Sequence, residues 1–109
     1  MRRTLMITAC CWLAVSAASA QAKPLSKNEQ SMCSWGSEMA GNAQKSKLSG
    51  ISLYSARKQL QVRRFTQPWM RMMAMGITEQ TYNSASRLKP GEIRQTYYQE
   101  CLHHLTARR

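Results

Sequence analysis

From residue 26 onward, apolar residues return every third or fourth position, the period of an amphipathic helix. Met32, Cys33, Trp35, Gly36, Met39, Ala40 and Ala43 share one broad face. Ser26-Lys27-Asn28-Glu29 has capping-box spacing, with Pro24 just upstream, so the first helix is expected to start near Ser26. Gly36 and Ala40 on the apolar face would let a neighbouring helix approach closely. Gly50 suits the end of this helix or the loop after it.

A second helix is expected after Ser52, with Leu53, Ala56 and Leu60 as its stripe. Tyr54, Val62 and Phe65 lie off that stripe, and Arg57, Lys58, Arg63 and Arg64 take its exposed positions. Pro68 lacks an amide donor and restricts Gln67, so it breaks this element or opens a short helix over 68–75, closed by Gly76. Ile77-Thr78 with Tyr82 has hydrophobic-staple spacing and predicts a further helix over 79–88. Lys89-Pro90-Gly91-Glu92 ends one helix and starts the next, with Leu88 and Ile93 at a second staple spacing. The last helix then carries Ile93, Tyr97, Cys101 and Leu105 at four-residue steps. Strand alternation is not evident and β-branched residues are few. The expected fold is all-α, a small bundle of four to five helices whose first and last long members are joined by Cys33 and Cys101.

The pattern ahead of residue 26 is different. Residues 1–22 read as a cleavable signal peptide: Arg2 and Arg3, an apolar run over 5–15, then Ala18-Ser19-Ala20 at the positions a signal peptidase reads. A second cut after Ala22 fits as well. As a membrane anchor the run falls short of about 20 apolar residues. As a lipoprotein signal it has only about six apolar residues before Cys10, against roughly 7–15 in a signal core. Cleavage discards Cys10 and Cys11 and leaves residues 23–109 as one small helical domain, periplasmic or secreted, with Cys33 and Cys101 in a compartment where disulfides persist. The bond would close a loop of about 69 residues and stabilise the fold by roughly 4 kcal/mol in the chain-entropy model. For a domain this small that is comparable to the whole folding free energy.

Charge changes the list of partners. The mature chain keeps fourteen Lys and Arg against five Glu, a formal +9, and no Asp at all. Behind a signal peptide, nucleic acid is not the expected partner; lipid headgroups, lipopolysaccharide phosphates or an acidic protein patch are. The cations are scattered in pairs, which favours a generally positive surface over one dedicated block.

Three constellations invite chemistry. Trp69-Met70-Arg71-Met72-Met73-Ala74-Met75 suggests soft ligands for Cu(I). On a helix, however, Met70 and Met73 lie on one face and Met72 and Met75 on another, so a third ligand would have to come from Met32, Met39, His103 or His104. Packing or a partner surface is the preferred reading of that string. His103 and His104 point about 100° apart, cannot easily chelate one ion together, and suit a helix end. Cys33 and Cys101 are remote in sequence and mid-helix, unlike a catalytic dithiol. No phosphate loop, nucleophile elbow or paired carboxylates among Glu29, Glu38, Glu79, Glu92 and Glu100 points to an enzyme, and no cofactor is expected.

The early Cys33 followed by Gly36, the basic middle, Ile77-Thr78 with Tyr82, and Lys89-Pro90-Gly91-Glu92-Ile93 leading to Tyr97 and Cys101 resemble a loose group of small secreted bacterial proteins. Those have one early and one late cysteine and no assigned activity. The resemblance implies a helical fold and an intramolecular disulfide, and carries no site residues.

The functional expectation is a protein-interaction module, an inhibitor, immunity or accessory factor for another envelope protein, without stable membrane insertion after signal cleavage. Its candidate contact residues are Trp35, Trp69, Arg63 and Arg64. A periplasmic copper or stress-response protein and a binder of anionic envelope surfaces are the alternatives. With no Asp and few Glu, an acid-triggered switch has few carboxylates to work with.

Overall fold

The computed structural model describes residues 25–108; the expected signal peptide, residues 1–22, lies outside them. The described chain is all-α: α1 (Lys27–Leu48), α2 (Leu53–Val62), α3 (Pro68–Asn83) and α4 (Pro90–Ala107), with no strand among these residues.

Local chemistry sets most of the boundaries. The Ser26 side chain accepts from the Glu29 amide at 3.2 Å, and the Glu29 carboxylate accepts from the Ser26 amide at 3.2 Å, so the capping box is complete. At the other end Gly50 adopts φ 83°, a left-handed conformation that glycine takes without steric cost. The Gly50 amide donates to the Lys47 carbonyl and the Ile51 amide to the Ser46 carbonyl, the paired bonds of a Schellman ending. Ser52 caps α2 through the Ser55 amide, and Pro68 and Pro90 each occupy the first turn of their helix.

One expectation is overturned. The two short helices over 68–75 and 79–88 are a single helix, α3, which runs through Gly76 and stops at Asn83. Ala74, Ile77 and Thr78 form one continuous buried stripe against α1, and a break at Gly76 would interrupt it. That burial outweighs the roughly 1 kcal/mol a helical glycine costs. Ile77 and Thr78 are therefore core positions rather than the entry to a new helix, and the Thr81 hydroxyl donates back to the Ile77 carbonyl at 2.8 Å.

The helices run up, down, up and down, with α1 as the hub. α1 packs against α4 and α3 and touches α2, α2 packs chiefly on α3, and α4 packs chiefly on α1. Small residues make this possible: Ala43 shares a pocket lining with Ala56 of α2, Ala40 packs with Ala74 of α3, and Gly36 and Gly41 leave room for Tyr97 and Arg94 of α4. Met39, Ala40, Ala74 and Ile77 form the centre, with Trp35, Leu60, Phe65, Met73, Ile93 and Tyr97 packed against it. No residue of α4 is fully buried. Its tie to α1 is reinforced covalently by Cys33–Cys101, Cα atoms 5.6 Å apart.

Two polar side chains of α1 hold the connection between α3 and α4. Gln44 is fully buried and donates through Nε2 to the carbonyls of Ser86 (3.0 Å) and Leu88 (2.8 Å). Lys47 Nζ donates to the carbonyls of Thr81, Ser84 and Ser86 at 2.8–3.1 Å. A segment without regular structure thus has its inward carbonyls satisfied by α1.

Candidate partner-binding site

The parallel run of α1 and α3 brings their N-terminal turns together, and three aromatic rings meet there. Trp35 of α1 stands edge-on to Trp69 of α3 (centroids 5.5 Å apart) and to Phe65 of the α2–α3 connection (6.1 Å). Edge-to-face contacts of this kind fix ring orientation as well as bury area. Beside them lies an open groove of about 570 Å³ lined by Asn28, Ser31, Met32, Trp35, Gln67, Trp69 and Met70. Trp69 keeps 40% of its surface exposed and Met32 39%; other large apolar side chains, Val62 and Met72 among them, are more exposed, and what sets these two apart is that they line one groove.

Cations rim the aromatic cluster. The Arg63 guanidinium lies over the Phe65 ring at 5.2 Å and that of Arg71 at 5.7 Å. Arg71 also donates to the Arg63 carbonyl at 3.0 Å, and Arg63 points a donor at the Met39 sulfur at 3.8 Å. These contacts hold both forks in place while leaving them exposed.

Of the candidate contact residues, Trp35, Trp69 and Arg63 come together, and Arg64 is exposed outside the cluster. Phe65, Arg71 and Met32 belong to the site and were not among the expected contact residues. Arg71 was hidden inside the methionine string. Its position three residues after Pro68, once Pro68 is taken as a helix start, is the signal that finds it.

The methionines are divided. Met73 packs against the core, and Met70 lines the groove and accepts from the Thr66 hydroxyl. Met72 is 80% exposed and Met75 half-buried. His103 and His104 are exposed near the end of α4, in an open depression of about 1020 Å³ with Glu100 and Tyr97. Among the described residues no three His, Cys, Asp or Glu side chains converge as a metal site. No described helix is long and apolar enough to cross a membrane.

Burial shifts two tyrosines. It pushes the Tyr97 hydroxyl above its usual value. It does the same to Tyr82, where a Ser46 hydrogen bond partly opposes it.

No protein-family model, curated protein or solved structure matches the chain.

Proposed function

We propose that this is an exported interaction module that docks on another envelope protein through the aromatic groove at the N-terminal ends of α1 and α3. The observation that carries this reading is the placement of two partly exposed apolar side chains, Trp69 and Met32, in the lining of one open groove of about 570 Å³, room enough for an inserted side chain. Aromatic and methionine side chains dominate the energetics of protein contacts, and a basic rim excludes the wrong partners. The disulfide fits an oxidising compartment and gives a small scaffold the rigidity a preorganised surface requires. The module acts by binding, without cofactor.

The test is site-specific photo-crosslinking in intact cells at native expression. A crosslinking side chain at Trp69 is expected to give a discrete adduct, and the same group at Lys45, on the opposite end of α1, to give none. Adducts from both positions, or from neither, would remove this reading.

A further inference from the structure

The groove and the arginine pair lie side by side, and together they specify the chemistry of what binds. Arg63 and Arg71 share one aromatic ring, and both are exposed. Arg57 forms an ion pair with Glu79, which involves neither of them. Guanidiniums clamped on a ring have lost much of their rotamer freedom before binding, so a bidentate anion costs less to hold there. Trp35, packed between Phe65 and Trp69, connects this cationic edge to the groove without interruption.

Resting on the interaction-module reading above, the geometry points to an acidic protein segment as the occupant: a carboxylate on Arg63 and Arg71, and an aromatic or large aliphatic side chain beside it in the groove. Charge complementarity supports this, because residues 23–109 carry fourteen Lys and Arg against five Glu, a formal +9, and the groove lining carries no acidic residue. Concavity decides against a bilayer. Trp35 and Trp69 are packed edge-to-face into a wall rather than projecting, so the surface receives an apolar group instead of inserting one. Met32 and Met70 in the lining adapt to the shape of the inserted group.

The experiment selects a randomised peptide library displayed on phage against the disulfide-bonded chain, then measures the best synthetic peptide by Trp35 and Trp69 emission. Enriched sequences are expected to pair acidic residues with an aromatic or large aliphatic one. Affinity should drop tenfold or more in Arg63→Gln/Arg71→Gln and in Met32→Glu. It should drop less than threefold in Lys45→Gln/Arg87→Gln, which removes the same charge from the far end of α1. Equal loss in the two double variants would reduce the effect to diffuse charge and overturn the proposal. So would enrichment of peptides without acidic residues, or phosphatidylglycerol vesicles that shift the emission and are not displaced by peptide. Adducts from the Trp69 crosslinker together with any of these results would leave the interaction module standing and remove only its acidic specificity.

Discussion

The Tyr97 ring of α4 lies directly over Gly36 of α1: a Cβ at Gly36 would stand 2.7 Å from Tyr97 Cε1 and 2.9 Å from its hydroxyl oxygen. The Met73 methyl of α3 reaches the same spot at 3.1 Å, so side chains from both neighbouring helices converge where α1 has none. Gly36→Ala is therefore expected to destabilise the fold. Overpacking typically costs about 1–3 kcal/mol and the gain in helix propensity returns up to about 1 kcal/mol. A urea-denaturation midpoint below wild type checks it.

Gly76→Ala should do the reverse. Gly76 is exposed within α3, and a Cβ there meets nothing within 4 Å. Alanine would stabilise the helix by up to about 1 kcal/mol. A thermal midpoint that fails to rise would show that Gly76 is not held in ordinary helical geometry.

Removing the disulfide with Cys33→Ala/Cys101→Ala should lower stability by roughly 4 kcal/mol in the loop-entropy model. The loss should concentrate on α4, which packs chiefly on α1 and has no fully buried residue. Hydrogen exchange resolved by segment is the measurement: uniform loss of protection across all four helices would contradict it.

Lys47→Met keeps the aliphatic stem and removes the ammonium shared by three carbonyls. Loss of those charge-assisted bonds is expected to cost about 1–3 kcal/mol. Amides of residues 84–89 should exchange faster while the α1–α3 core keeps its protection. Unchanged exchange in that segment would mean the three bonds hold nothing in solution.

The alkaline limit follows from the tyrosines. Tyr97 and Tyr82 keep their protons in the folded state above the ordinary value near 10, whereas the unfolded chain releases them there. Between those values the native state binds more protons, so stability falls as pH rises past about 10 and is unaffected by these groups below it. Tyr97→Phe should flatten that decline in chemical denaturation measured between pH 9 and 11.

The parts of the fold that were legible in the sequence are those governed by neighbours along the chain. Ser26 with Glu29, Gly50, Ser52 and Pro90 mark their helix ends through contacts a few residues long. The cysteine pairing was legible because reading residues 1–22 as a signal set Cys10 and Cys11 aside and left one choice, Cys33 with Cys101. Gly76 misled because its local preference to end a helix was overruled by burial of Ala74, Ile77 and Thr78 at longer range. Gln44 and Lys47 carry no local mark at all; their partners lie 34–44 residues away. The same holds for the site. Trp35 and Trp69 stood out as residue types, while Arg71 acquired a role only when α3 turned it onto Phe65.

The link between Cys33 and Cys101 also governs what a protease can accomplish. A single cleavage within residues 84–89 would sever the backbone but leave α4 fastened to its hub through sulfur. Such a nicked molecule would migrate as one species until a reductant splits it in two. Damage at this connection therefore need not release either half.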